Sequence, residues 1–171
     1  MNYINIKNKT KLDFKSNEEP YLIKNYAKDW YAFKNWSFEF IKNLDPNLMV
    51  NAIVGGNMYT SGEKKFVNIK LQDYIRSIIS GNSKAYLSTF HLFSKFPSLK
   101  KHIDYKEVKK NSFICNLLAW IGPKESITGF HADWADNFNI QIRGKKQFYL
   151  VSPKYNKNMY PSKKYERFAV G

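Results

Sequence analysis

The sequence of 171 residues contains a single cysteine, Cys115. One cysteine excludes an internal disulfide framework and a Cys-rich zinc site, and it favours a reducing compartment. No run of about 18 apolar residues is present, which excludes a membrane-spanning helix. The N-terminal stretch lacks the apolar core of a secretory signal. These absences predict a cytoplasmic protein, or a nuclear one in a eukaryote, that is not secreted and has no membrane partner.

Acidic residues are also scarce. Fourteen Asp and Glu stand against 28 Lys and Arg, which leaves a net charge of +14 and a pI near 9.7. A basic excess can mark a nucleic-acid surface, but it can also be a solvated basic face. The excess is nearly all lysine, it is scattered, and Asn, Ile, Tyr and Phe, which share A/T-rich codons, are abundant too. The sequence therefore favours a solvated basic face over a nucleic-acid surface.

Hydrophobic residues make up 43% of the chain and aromatic residues 17%, which is enough for a packed core. Dividing the length by roughly 150 residues per domain predicts one domain. The polar residues 1–19 are interpreted as a lead-in and residues 20–171 as the domain. The oligomeric state is left open, with a homodimer among the alternatives.

The first part of the domain mixes helices and strands. Apolar residues at helical spacing over Leu71–Ile79 predict an amphipathic helix that Gly81 ends. Ser37 is placed to cap a short helix. Short β-rich runs predict strands, at residues 20–23, 48–54 and 66–69.

From Ser112 onward the pattern changes to the period of two that is typical of strands. Residues 112–121 and 126–133 predict two strands. Residues 137–142 and 147–151 predict a hairpin around Arg143-Gly144-Lys145. A succession of strands with tight turns indicates a sandwich or a small barrel.

Within the predicted strand 126–133, His131 and Asp133 are two residues apart, so their side chains lie on the same face. An imidazole beside a carboxylate is two thirds of the 2-His-1-carboxylate triad that binds non-haem Fe(II). The spacing alone does not establish such a site, because a surface or capping pair gives the same pattern.

The surrounding sequence resembles the JmjC and cupin-like 2-oxoglutarate oxygenases over roughly residues 18–155. The specific motifs lie between residues 120 and 153: Trp120-Ile121-Gly122-Pro123, Thr128, His131-Ala132-Asp133, Asn137, Gln141 through Lys146, and Leu150-Val151-Ser152-Pro153. Supporting motifs lie upstream: Pro20 through Lys24, Asp29-Trp30, Trp36-Ser37, Tyr86-Leu87, Leu92-Phe93 and Phe96-Pro97-Ser98-Leu99.

The resemblance implies an α+β, mostly β fold in which N-terminal helices pack on a double-stranded β-helix of the jelly-roll type. It also implies that His131 and Asp133 bind Fe(II). Lys146 and Thr128 would hold the distal carboxylate of 2-oxoglutarate, Asn137 would line the pocket, and Tyr86 would reach the co-substrate.

The function implied by the resemblance is a dioxygenase that couples decarboxylation of 2-oxoglutarate to succinate with hydroxylation of a substrate C–H bond, or with demethylation. The cupin-like branch favours a protein side chain as substrate over a nucleic acid. Two alternatives stay open: a shortened, non-catalytic cupin-like binding module, and a hydroxylase directed at tRNA or another nucleic acid.

The family pattern also requires a second histidine on a late strand, and no histidine follows His131 in the forty residues to Gly171. We therefore expect an incomplete barrel and an incomplete metal site. The sequence is then a truncated piece or split product, a chain completed by another chain, or a shortened relative that binds without turnover. His91 and His102 lie upstream, where the family topology does not place this ligand.

Overall fold

The computed structural model describes residues 7–9, 20–54, 57–58, 65–111, 115–133 and 135–160. Its α-helices are α1 (Tyr31–Asn35), α2 (Phe38–Lys42), α3 (Leu71–Ile79), α4 (Leu92–Lys95) and α5 (Lys106–Asn111). Its strands are β1 (Lys7–Lys9), β2 (Tyr21–Ile23), β3 (Met49–Val54), β4 (Asn57–Met58), β5 (Lys65–Lys70), β6 (Ala85–Phe90), β7 (Ala119–Ile121) and β8 (Ile127–Thr128). Two 3-10 helices, Pro97–His102 and Pro153–Met159, follow α4 and β8.

A four-stranded antiparallel sheet in the order β5-β3-β6-β7 forms the centre of the described fold. Strands β3 and β5 pair along their whole length, from Met49 opposite Lys70 to Val54 opposite Lys65. Two parallel pairs, β1 with β2 and β4 with β8, accompany the sheet. The strands predicted at 20–23, 48–54 and 66–69 are confirmed, and the fold is mixed α+β.

Helix α3 covers the sheet with the apolar stripe that its sequence predicts. Four apolar residues of the helix are buried: Leu71, Tyr74, Ile75 and Ile78. Ile79, the last residue of the helix, is exposed. The predicted stop at Gly81 is confirmed: its φ is +75°, and its N–H donates to the Ile78 carbonyl at 3.0 Å. Glycine suits this left-handed position because it carries no Cβ.

The hydroxyl of Tyr74 joins α3 to two strands of the sheet. It donates to the Ile121 carbonyl at 2.6 Å and accepts from the Leu87 N–H at 3.1 Å. The side chain is 1% exposed, so these bonds replace water that cannot reach the group. Burial raises the pKa of this phenol well above its ordinary value, which keeps the donor protonated. One side chain thereby sets the spacing of α3, β6 and β7.

The N-terminal helices pack through aromatic residues. Ser37 caps α2 as predicted, since its Oγ accepts from the Phe40 N–H at 3.1 Å. Trp36 is buried between Phe40 and Phe93, and its Nε1 donates to Nδ1 of His102 at 3.0 Å. His102 is thus a hydrogen-bond acceptor within an aromatic cluster.

The acceptor role of His102 predicts acid-sensitive stability. Burial, and then Lys101, lower the pKa of its imidazole from 6.5, so the folded protein favours the neutral ring more strongly than the unfolded chain does. Above pH 6.5 the ring is neutral in both states; as the pH falls through that value the unfolded chain takes up the proton first and stability is lost. We expect the free energy of unfolding, measured by urea titration between pH 7 and 5, to fall less steeply in His102→Gln than in the unmodified chain. His91→Gln, at an exposed site, serves as the control; equal slopes for all three proteins would contradict the prediction.

The prediction of a hairpin over residues 137–151 is wrong, because the structure has no strand in this segment. Both halves are irregular, although Gly144 has the turn-like φ of +75°. Phe148, Tyr149, Leu150 and Val151 are between 41% and 67% exposed. An alternating strand is stable only when its apolar face packs on another layer, and within the described ranges no layer covers these side chains.

Two further strands are shorter than predicted. The strand predicted over 112–121 is confirmed at Ala119–Ile121, and residues 112–114 lie outside the described part of the chain. The strand predicted over 126–133 is confirmed at Ile127–Thr128. The lead-in predicted over 1–19 is described at Lys7–Lys9, which forms β1.

Arg143 connects the irregular segment to the C-terminal end of α1 through hydrogen bonds. Its Nε donates to the Trp36 carbonyl, and its Nη2 donates to the Lys34 carbonyl at 3.4 Å. These carbonyls lie at the C-terminal end of α1, where the last backbone acceptors have no partner within the helix. A cation there is also favoured by the helix dipole.

In the part of the chain that the structure covers, no helix has the length and apolar character to cross a bilayer.

Candidate functional site

His131, Asp133 and Asn137 form a contiguous polar cluster in the loop that follows β8. Nε2 of His131 lies 3.8 Å from Oδ1 of Asp133, and the other carboxylate oxygen, Oδ2, accepts from Nδ2 of Asn137 at 2.6 Å. The three residues that the sequence assigns to the iron pocket are therefore neighbours. They lie in a loop rather than in the predicted strand.

The ring of His131 is oriented by the backbone. Its Nδ1 lies 2.8 Å from the Gly129 carbonyl oxygen. A carbonyl only accepts, so Nδ1 is the donor in this contact, and Nε2 is the ring nitrogen nearer to Asp133. A backbone carbonyl on the second nitrogen is the arrangement that usually fixes a metal-binding histidine.

The donor set of this cluster fits a divalent metal ion. Two adjacent ligands that bind one ion through bonds of about 2.1 Å lie about 3.0 Å apart. Nε2 of His131 and Oδ1 of Asp133 are 3.8 Å apart, so they would have to approach by slightly less than about 1 Å to share an ion. The side chains are 33% and 48% exposed, so an ion can reach them. Among the described residues no group of three His, Cys, Asp or Glu side chains is found that could hold a metal.

Tyr86 and Thr128, two of the residues assigned to 2-oxoglutarate, meet across neighbouring elements. Tyr86 is on β6 and Thr128 is on β8, and the Thr128 hydroxyl lies close enough to the phenol to influence its pKa. Burial raises the pKa of the Tyr86 phenol, and the nearby Thr128 hydroxyl partly opposes that rise. The phenol is thus a neutral donor or acceptor. Thr128 is also three residues before His131, so one segment contributes to both groups.

Gly122 makes room for the Tyr86 ring. A Cβ at this position would lie 2.5 Å from Cε2 of Tyr86 and closer still to Cδ2, with the Ser126 hydroxyl at 3.0 Å. Real Cβ atoms do not approach that closely, so the residue after β7 has to be glycine for the ring to lie where it does.

No hydrogen bond or ion pair joins Lys146 to the other candidates among the described residues. The interaction that the structure gives its ammonium is with the Phe148 ring, whose centroid is 5.2 Å away. The residue is exposed as a whole, but partial burial of its ammonium lowers the pKa. The described geometry thus brings together His131, Asp133 and Asn137, and separately Tyr86 and Thr128, whereas Lys146 stays a prediction from the resemblance.

Three residues that position these groups were not identified from the sequence. Tyr74 was assigned only to the apolar stripe of α3, because nothing local distinguishes a buried tyrosine with partners from a core residue. Arg143 was assigned only to a turn. Gly122 was quoted as part of a motif, but its closeness to Tyr86 depends on a strand pairing that spans 35 residues, from Leu87 to Ile121.

Comparison with known proteins gives consistent matches along the chain. The profile of the family described as "Cupin-like domain" matches residues 8–170. JmjC domain-containing protein D of Dictyostelium discoideum is 30% identical over 90% of this chain and 39% of its own length. Lysine-specific demethylase 8 of Danio rerio is 31% identical over 87% of this chain and 39% of its own. Jumonji C domain-containing protein 5 of Drosophila melanogaster is 28% identical over 84% and 38%.

The chain spans about two fifths of the length of these curated relatives. The family match, in contrast, covers nearly all of the chain, including every candidate site residue. The resemblance stated from the motifs is therefore confirmed: the chain belongs to the cupin-like domain family and is homologous to JmjC domain-containing proteins over most of its length.

Proposed function

We propose that this chain carries part of the active site of an Fe(II)- and 2-oxoglutarate-dependent oxygenase that hydroxylates a protein side chain. The observation that supports this most directly is the cluster of His131, Asp133 and Asn137, in which an oriented imidazole nitrogen and a carboxylate oxygen face each other at 3.8 Å. Its members are the residues that match the family motif.

The family supports the class of reaction. The cupin-like and JmjC oxygenases use Fe(II) and 2-oxoglutarate, and one similar protein is named as a lysine-specific demethylase, which acts on protein. For this chain a double-stranded β-helix around the metal is part of the same proposal. The four-stranded sheet of β5, β3, β6 and β7 would be one of its sides.

In this proposal some of the candidate residues bind the metal and the others bind the co-substrate. His131 and Asp133 would hold Fe(II), which supplies oxygen activation when it is bound. Asn137 holds one carboxylate oxygen of Asp133 and so leaves the other directed toward His131. Tyr86 and Thr128 offer hydroxyl groups, and Lys146 an ammonium, to the distal carboxylate of 2-oxoglutarate. Because the Tyr86 and Thr128 hydroxyl groups lie near each other, both can donate to one carboxylate.

The metal half of the proposal is tested by calorimetric titration of the chain with Mn(II), an air-stable substitute for Fe(II). We expect one site whose affinity falls about tenfold or more in His131→Ala and in Asp133→Asn, because each change removes a ligand atom. Asn137→Ala is expected to have a smaller effect. His91→Ala is the matched control, and loss of Mn(II) binding in that control but not in His131→Ala would refute the assignment.

The catalytic half is tested by succinate formation from 2-oxoglutarate in the presence of Fe(II). Succinate that disappears in His131→Ala supports an oxygenase. The second candidate, a non-catalytic binding module, is favoured by the count of two ligands within the described cluster. It predicts Mn(II) and 2-oxoglutarate binding without succinate. A nucleic-acid-directed hydroxylase predicts, in addition, RNA affinity that falls steeply with salt.

A further inference from the structure

Away from the candidate iron site, the described residues line an open pocket, called the cavity below, of about 350 Å³. It is lined by Tyr26, Trp30, Asp104, Lys106 and Glu107. Its size is within the range of about 300–1,000 Å³ that small-molecule sites occupy. One wall comes from the turn that precedes α1, and the other from the beginning of α5. None of these residues has a role in the oxygenase proposal.

The first wall is aromatic. Tyr26 and Trp30 pack edge to face with ring centroids 5.6 Å apart, and Phe138 contacts Tyr26 in the same way at 5.3 Å. Trp30 is 9% exposed, so its ring is held in place by the core. The electron-rich faces of such rings attract organic cations.

The second wall is acidic, in a chain whose net charge is +14. Glu107 and Asp104 lie close enough to Tyr26 to raise the pKa of its phenol, after the larger effect of burial. Oδ1 of Asp104 also accepts from the Lys106 N–H at 3.3 Å, which fixes this carboxylate at the start of α5. Across the described ranges neither carboxylate takes part in an ion pair.

Lys106 does not supply the missing cation. Its ammonium forms no ion pair with Asp104 or Glu107, and it lies over neither ring of the aromatic wall, within the residues described. The cavity therefore combines two aromatic side chains with two carboxylates that form no ion pair among the described residues, and Lys106 lines it without pairing with either carboxylate.

We propose that this cavity binds an organic cation, namely the side-chain ammonium or guanidinium of a basic peptide segment. The rings would contact the alkyl stem and the charge, and Asp104 and Glu107 would neutralise it. Both carboxylates are on exposed residues, so the peptide backbone can remain in solvent. The site needs neither Fe(II) nor 2-oxoglutarate, and its test is independent of the oxygenase proposal. Phe138 does follow Asn137 directly, so the cavity and the candidate iron site share a segment.

The test uses the whole chain with its four tryptophans labelled as 5-fluorotryptophan, observed by fluorine NMR. Trp30→Phe assigns the signal of Trp30. The probe is N-acetyl-lysine N-methylamide, and N-acetyl-norleucine N-methylamide is its uncharged analogue. We expect the lysine probe to shift the Trp30 signal and the norleucine probe to leave it unchanged.

Two sets of variants give opposite expectations. The double variant Asp104→Asn with Glu107→Gln should bind the lysine probe roughly fivefold more weakly or worse, since both charges are lost while Asn still accepts the Lys106 N–H. Lys106→Met should bind it more tightly, because a like charge is removed. Equal shifts with both probes, or affinity unchanged in the double variant while its thermal transition matches the unmodified chain, would overturn the proposal.

Discussion

Replacing Tyr74 by phenylalanine is expected to lower the free energy of unfolding by about 2–4 kcal/mol. The ring remains and continues to fill the core, so the loss comes from the hydroxyl alone. Without it two buried backbone groups lose this partner: the Leu87 N–H, which donates to the hydroxyl at 3.1 Å, and the Ile121 carbonyl, which accepts from it at 2.6 Å. A buried polar group without a partner costs more than the bond itself contributes.

Urea denaturation followed by circular dichroism measures this effect, and Tyr149→Phe is the matched control. Tyr149 is 67% exposed, so removal of its hydroxyl should change stability by less than about 0.5 kcal/mol. The raised pKa of Tyr74 adds a second signature. The unfolded chain loses this proton near pH 10 and the folded one only at higher pH, so stability falls above pH 10. Tyr74→Phe should reduce that fall; an unchanged alkaline slope would contradict the assignment.

Gly122→Ala is expected to displace the Tyr86 ring and to destabilise the chain by about 1–3 kcal/mol. The new methyl group would occupy the space of the ring, which is 7% exposed and cannot turn aside without moving its neighbours. Since the Thr128 hydroxyl lies close to the phenol, movement of the ring would also separate the pair that we assign to 2-oxoglutarate. Affinity for 2-oxoglutarate should therefore fall together with stability.

A double-mutant cycle separates this collision from a general intolerance of the position. In a Tyr86→Ala background the space is empty, so Gly122→Ala should cost much less than in the unmodified chain. Gly144→Ala is a useful comparison, because a Cβ there meets nothing within 4 Å and only the positive φ is strained. If Gly122→Ala were equally costly with and without the Tyr86 ring, the proposed collision would be wrong.

Sequence patterns predicted the elements whose stability is local. Helix α3 begins and ends where its apolar spacing and Gly81 indicate, because helix periodicity and a left-handed cap act within a few residues. Ser37 was recognised for the same reason. The His131–Asp133 pair and Asn137 could be named from the family motif, since four to six residues of loop separate them.

What the sequence could not predict depends on distant partners. The alternation over residues 137–142 and 147–151 fits strands, but strands form only where another strand or layer is present to pair with. The parallel pairing of β4 with β8, from Asn57 opposite Ile127, gives no local signal either. The acceptor role of His102 depends on Trp36, which is 66 residues away.

The reach of Arg143 back to the end of α1 bears on how a smaller version of this domain should be designed. A fragment that begins after residue 36 would retain all six candidate iron and co-substrate residues. It would lack the Lys34 and Trp36 carbonyls that hold the guanidinium, which lie 109 and 107 positions upstream. Lys146 is three residues beyond Arg143, so removing α1 would release the stretch that carries the candidate co-substrate lysine while keeping both candidate iron ligands in the chain.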